Sequence, residues 1–473
     1  MKTQFLGGAY VARSPNAAAN RLVNAYPEQI QEGGKEPAAL IGCPGLRRLY
    51  YLGENVGIRG MIAGSDGKFY AVAGNQLWQV TVAFGGATAV GTLSSGSGPV
   101  SMADNGTQLA IVDGVAGYTW TFGTSTFATI SDPDFPNGCT HIAYQDTYGI
   151  VVDPGTQTFK ISASNDFTSW AALDFAAAEG DPDKALVPLV DHRELWIFGE
   201  VSTEVFYNSG NADFPFERVQ GGYIEHGIAA VHSAVKLDNS VFWLAKNKTG
   251  GAVVLRAVGY QPQIVSTHAV SYAIEQYGDV SDAYAYGYQQ EGHAFYVLVF
   301  PSAGACWVFD AATSLWHERG GFADGEYTAY PVSCHAYFGG KNLVGHRDNG
   351  RIYTLELDEY AYDDQPRKVL RSWRIPFNEE NEVETNELVI GMETGVGITT
   401  GQGSDPQLML RVSKDGGHTW PVERWAPVGK IGERGRGVRW RRVACAADTV
   451  LEVSITDPVK VVMTGAYMDG RAL

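Results

Sequence analysis

Ser413, Asp415, Gly417, Thr419 and Trp420 are spaced as Ser-x-Asp-x-Gly-x-Thr-Trp in the stretch SKDGGHTW. The set offers a carboxylate, two hydroxyls, a flexible backbone and an aromatic face. Joined by arginines and further carboxylates, such groups on a β-scaffold could bind and cleave an acidic sugar. Standing alone they make a hairpin turn. Asp415 accepts hydrogen bonds from backbone N–H groups, Gly416 and Gly417 supply positive φ, and Trp420 covers the hairpin.

The pattern is the Asp-box of sialidase propeller blades, which even there lies far from the catalytic centre. WRIPF at 373–377 resembles the Arg-Ile-Pro motif that supplies one of three carboxylate-binding arginines in those enzymes. There it precedes a whole propeller. Here only about a hundred residues follow it, too few for a set of blades of roughly 40 residues each. No arginine triad, Tyr/Glu nucleophile pair or acid Asp can be assembled, so the Asp-box reads as a structural turn.

Other chemistry is weaker still. GxSxG, a Walker loop and a Rossmann fingerprint are missing. GVGITTGQGSD leads into no helix that could bind phosphate. Asp363/Asp364 and Glu379/Glu380 sit in polar loops and read as solvated surface. The ten histidines form no HExxH, and His226 and His232 read as isolated imidazoles, so no metal is expected. Five scattered cysteines (Cys43, Cys139, Cys306, Cys334, Cys445) contain no CxxC and read as buried free thiols. The expectation is a non-enzyme without cofactor. The competing readings are a sialidase-like glycosidase acting on host surface sugar and a monomeric propeller adaptor.

One basic cluster interrupts a chain of net charge −17. In GKIGERGRGVRWRRVA, Lys430, Arg434, Arg436, Arg439, Arg441 and Arg442 face a single acid, Glu433. Arg439 and Arg441 would share one strand face, with Trp440 on the other. A subunit interface ranks first, because arginine pairs carboxylates bidentately. An internal network with the acidic stretches 358–364 and 379–387 ranks second, and contact with DNA phosphates third. Overall the acidic surface should repel DNA rather than grip it.

The elements that would hold these residues are strands. Hydrophobic residues make up 45% and aromatics 12%, with 57 glycines, the composition of an all-β protein. Short helices are expected only near 17–24 and 272–277. Between 56 and 357 one unit recurs: an apolar strand, a polar or Gly turn, a strongly apolar strand and an aromatic strand. It starts at Arg59, Val100, Thr140, Pro188, Ala230, Ala285 and Ser333. The mean step of roughly 46 residues suits a four-stranded blade. This predicts a central β-propeller of six or seven blades. Residues 1–55 read as an extended N-terminal arm, and 358–473 as a small antiparallel β-domain packed with it. The start reads as a poor secretion signal and no run approaches the ~18 apolar residues of a membrane span, so a soluble cytoplasmic product is expected.

With arm, repeats and C-terminal domain in this order, the chain resembles the packaged-DNA stabilisation proteins of short-tailed phages, the tail hub or nozzle family. The resemblance rests on RLVNAYPE, CPGLRRL and IRGM near the start. LWIFGEVSTEVFYNSGNADFPFERV, FWLAKNKTGGAVVLRAVGYQPQIVSTHAV, GHAFYVLVFP and CWVFDAATSLWHERG carry it in the middle. LRVSKDGGHTW, VRWRRV and ITDPVKVVMTGAYMD carry it at the end. It implies a homohexameric ring below the portal and its adaptor, continuing the DNA channel and retaining packaged genome. Implied partners are a tailspike or tail fibre, a needle or plug, and double-stranded DNA in passage. The implied location is the virion tail, after assembly in the host cytoplasm.

Overall fold

Apolar runs separated by Asp, Asn or Gly fold as antiparallel hairpins, and the middle strands of the blades, such as Phe69–Ala73 and His293–Phe300, are buried on both faces between neighbouring blades. At Asp238–Asn239, for example, both residues take positive φ (50° and 56°) and close Leu237 onto Ser240. The structure, a computed structural model, describes residues 4–473 except 35, 54, 82, 247–249, 376–380 and 436.

Among the described residues the repeats form seven blades. Their innermost strands are Ile58–Ala63, Ser101–Asp104, Ile142–Gln145, Ala185–Asp191, Val235–Leu237, Tyr284–Gln290 and Val332–Phe338. The blades follow one another around the ring, blades 4 and 5 meeting through the buried Val187, Phe198, Val241 and Trp243, and Val332–Phe338 returns to pack beside Ile58–Ala63. Ser333 Oγ donates to Ile58 O across that joint (2.6 Å). The all-β propeller expected from the repeats is therefore present, with its count decided at seven.

Residues 1–55, expected as an extended arm, form six short strands: Tyr10–Val11 and Ala19–Asn20 pair with each other, and the other four join sheets of the propeller and the C-terminal region. Gly45–Tyr51 is the outermost strand of blade 7, running antiparallel to Arg351–Glu356. The first blade strand in the chain thus completes the last blade, which closes the ring through backbone hydrogen bonds. Leu22–Val23, Ala25–Gln29 and Ala38–Gly42 enter the C-terminal β-sandwich.

One sandwich sheet has the order Ala25–Gln29, Ala38–Gly42, Val462–Ala472, Val383–Met392, Val438–Ala446. The other runs Leu22–Val23, Val369–Arg374, Val450–Ile455, Gln407–Ser413, Arg424–Pro427. Val23 also pairs in parallel with Glu318 on the outermost strand of blade 6, so this sheet continues without a break into the propeller. A single buried cluster joins Phe242, Tyr296 and Trp316 of blades 5 and 6 to Trp373, Leu388 and Leu451 of the sandwich.

Two local expectations are corrected. No helix forms at 17–24. Ala19–Asn20 and Leu22–Val23 are strands, because Tyr10–Val11 and Val369–Arg374 offer them ladder partners that outweigh local helix propensity. The second expected helix begins earlier, spanning His268–Gln276, with the Thr267 side chain accepting from Val270 N at its cap. The cysteines also differ from expectation. Cys43, Cys139 and Cys306 are buried thiols, but Cys334 is half-buried and Cys445 is exposed on an edge strand.

Candidate assembly surface

The arginine cluster sits on an open end of the sandwich. Both sheets terminate there, in the edge strands Arg424–Pro427 and Val438–Ala446. Trp440 turns inward and is buried, its indole N–H donating to Arg424 O (2.9 Å). Arg439 and Arg441 turn outward on either side of it. Both reach the same carboxylate, Glu387 on the neighbouring strand, at 3.3 and 3.6 Å. One acid shared by two exposed arginines leaves net positive charge, and such surface pairs contribute only about 0–1 kcal/mol.

Arg442 adopts φ 55°, and its carbonyl accepts from the Arg424 guanidinium (3.1 Å), tying the two edges together. Arg434, Arg439 and Arg441 line a groove of about 870 Å³ over Ala426–Gly429, with Glu433 on its rim. Lys430 N donates to the Glu433 carboxylate (3.0 Å), closing the loop that carries the groove wall. Arg436 lies outside the described residues. Of the two acidic stretches that could have neutralised the cluster, 358–364 is engaged elsewhere. Arg47 holds Asp358 (2.8 Å), while Arg48 and Arg351 hold Asp363 (each 2.6 Å). From the other stretch Glu387 reaches the cluster, and Glu379 and Glu380 lie outside the described residues.

The Asp-box lies on the sandwich, between Gln407–Ser413 and Arg424–Pro427, rather than on a blade. Asp415 accepts from Ser413 Oγ (2.6 Å), Thr419 Oγ1 (2.6 Å), Thr419 N (2.9 Å) and His418 N (3.1 Å). Gly416 and Gly417 take φ 74° and 100°. A Cβ on Gly416 would meet the Asn16 amide at 2.1 Å, so the turn presses directly against the N-terminal segment. Arg411 stacks over Trp420 (5.3 Å). All five pattern residues serve one turn.

Hydrogen bonds from Ser413 and Thr419 hold the Asp415 carboxyl well below the usual carboxylate range. A depressed folded-state pKa means that its stabilisation is present above the unfolded value of about 4 and fades as pH falls further. Asp415→Ala is therefore expected to melt at a lower temperature than the parent at pH 7. Thermal scans should show that difference narrowing below about pH 4; a gap independent of pH would exclude the carboxylate as its source.

The WRIPF arginine is likewise committed to structure. Arg374 donates to Pro15 O (2.7 Å) and is ion-paired with Asp448, while Trp373 is buried in the sandwich core; Pro376 and Phe377 lie outside the described residues. His232 stacks on His141, with ring centroids 4.4 Å apart, and burial pushes its pKa down to about 4. Among the described residues no three His, Cys, Asp or Glu side chains converge as metal ligands. No helix among the described residues is long and apolar enough to cross a membrane.

Sequence reading missed the apolar part of the sandwich end. Val422 is 89% exposed and Trp425 63%; Trp425 lies on the edge strand whose Arg424 bonds the Arg441 and Arg442 carbonyls, and Val422 stands two residues before that strand. PVERW carries no period-2 signal that would say which side chains face water.

Both halves of this architecture match one family. The family model described as bacteriophage P22 Gp10, β-propeller, covers residues 1–360. The one described as bacteriophage P22 Gp10, β-sandwich, covers 369–471. The chain belongs to the P22 Gp10 family. As a member, it is a structural protein of the phage tail, in line with the family resemblance read from the sequence. Its cluster and Asp-box both lie in the Gp10 β-sandwich region. No curated protein matches the chain significantly. Among solved structures it is similar to the computationally designed Ika8 protein, at 12% identity and TM-score 0.39. That match covers 66% of this chain and 99% of the other. It is also similar to the extracellular domain of the putative hybrid two component system BT4673 from B. thetaiotaomicron. There the identity is 10% and the TM-score 0.46, covering 72% of this chain and 43% of the other.

Proposed function

We propose that this Gp10-family chain forms a homohexameric hub below the portal–adaptor ring. The hub continues the DNA channel, retains the packaged genome and carries distal parts such as a tailspike or fibre and a needle or plug. Before assembly the chain resides in the host cytoplasm. The observation that carries this reading is the open sandwich end, where exposed Arg439 and Arg441 share one carboxylate and Arg442 stands exposed next in the strand, in an otherwise acidic chain. Arginines left in excess are suited to carboxylates on a neighbouring subunit. A net charge of −17 per copy would let DNA pass through the ring without sticking.

Light scattering on the purified chain, alone and mixed with portal–adaptor complex, tests the ring. The expected result is added mass equal to six copies per complex. A chain that ignores the complex and stays monomeric removes the reading. Reversing Arg439, Arg441 and Arg442 to Glu is expected to abolish ring formation without lowering the melting temperature. Intact rings with reduced DNA retention in particles would instead place the arginines in the channel.

A further inference from the structure

The arginine-edged sandwich end has a counterpart on the far side of the propeller. In blade 3 the outermost strand, Asp166–Ala177, runs for 12 residues against the six of Thr158–Ala163. Lys160 pairs with Phe175 and Ser162 with Trp170, so residues 171–174 stand opposite Ile161 alone and bulge from the rim. The Trp170 shoulder of the bulge is fixed. Trp170 is buried against Phe135 (5.2 Å), its indole donates to Phe167 O (2.8 Å), and its backbone N–H donates to Asp132 (3.0 Å). The tip is apolar and in water: Leu173 is 85% exposed and Phe175 44%, with Ala171 and Ala172 also exposed. Asp174, within the bulge itself, supplies a carboxylate beside Leu173.

Among the described residues, Leu173 and Val422 are the two most exposed large apolar side chains. One lies on the blade 3 rim beside Asp174, the other at the sandwich end that carries the arginines. Each surface has an apolar centre and a charged border, and the charges are opposite in sign. Their placement suits a head-to-tail contact. The sandwich continues from the outer strand of blade 6, and blade 3 lies three blades away in one direction and four in the other. Two different patches on one chain make a heterologous interface, which closes into a ring when the rotation allows. A bulge on an edge strand also blocks sheet-to-sheet pairing, so this rim docks through side chains.

We infer that the blade 3 rim around Leu173 and Asp174 receives the Val422–Trp425–Arg441 end of the sandwich from the next copy. This rests on the ring reading above and names its acceptor surface.

The test uses two full-length variants, Leu173→Arg and the double variant Arg439→Glu/Arg441→Glu. Each is followed by sedimentation velocity, alone and on portal–adaptor complex, with thermal melting as the control for folding. Each is expected to lose self-association at least tenfold while melting as the parent does. Mixed together, they should form dimers and nothing larger, because each then lends the other its one intact surface. Self-association of Leu173→Arg equal to the parent's would overturn the rim as acceptor and leave the ring reading standing. Two non-associating variants that form no dimer when mixed would overturn the head-to-tail pairing. A parent chain that never associates, alone or on the complex, would sink the ring reading and this inference with it.

Discussion

A chain that begins at residue 52 is expected not to fold. The loss would remove the outer strand of blade 7, two strands of one sandwich sheet and the strand that joins the other sheet to blade 6. Phe5, Leu22, Val23, Tyr26, Leu40 and Leu46 are all nearly inaccessible to water. At about 1.5–3 kcal/mol for each buried side chain, their loss is on the order of 10 kcal/mol. Domains of ordinary stability have only about 5–15 kcal/mol in total. Circular dichroism and thermal melting decide the matter: no cooperative transition is expected. A transition within a few degrees of the parent would show that the ring closes without its first strand. Leu46→Asp isolates the closure itself. It places a carboxylate at a buried position opposite Leu355, and should lower the unfolding free energy by more than about 3 kcal/mol.

Replacing Arg371 with Ala is expected to cost about 3–5 kcal/mol. The guanidinium is buried and holds no carboxylate among the described residues. Instead its Nε donates to Phe5 O (2.7 Å) and its Nη1 to Gly8 O (3.2 Å). Truncation leaves both carbonyls without this donor, each at about 1–3 kcal/mol, and opens a cavity beside Trp373, on which Phe5 packs edge-on at 4.8 Å. The denaturation midpoint should fall with little change in slope, and Arg371→Lys should recover part of the loss by restoring one donor. A loss below about 1 kcal/mol would mean that residues 5–8 release and solvate their carbonyls at little cost.

The blades were legible because each is local: hairpins joined by Asp, Asn or Gly turns, with short continuous apolar runs marking the strands buried on both faces. GKFYAVAGNQLWQV and NGTQLAIVDGVAGYTW show this directly, and their strands appear where the pattern puts them. The segment around Ala19 and Leu22 was not legible. Short Ala-containing runs carry weak helix propensity, and their strand state depends on partners as far away as Arg371. The Asp-box was legible as a turn, since its hydrogen bonds fall within Ser413–Thr419. Its contact with Asn16 was not.

Of the proposed docking surfaces, the arginine half could be read from VRWRRV, where alternation alone puts Trp440 inward and Arg439 and Arg441 outward. Nothing in TSWAALDFAA says that Leu173 stands in water. Only the register against the shorter strand Thr158–Ala163, with one residue facing four, forces the chain outward there.

The sequence by itself therefore determined an all-β chain of repeated hairpins, a structural turn at Asp415 and a basic strand in an acidic protein. Those features follow from period-2 burial and short-range hydrogen bonding, which neighbouring residues encode. The tertiary structure decided the count of seven, the closing of the ring by Gly45–Tyr51 and the fusion of blade 6 to the sandwich through Val23. It also decided which apolar side chains are left exposed. The ring closure and the fusion depend on backbone pairing between segments hundreds of residues apart, set by which strand edges remain open once the local hairpins have formed, whereas the exposure of Leu173 depends on a register shift that composition does not encode.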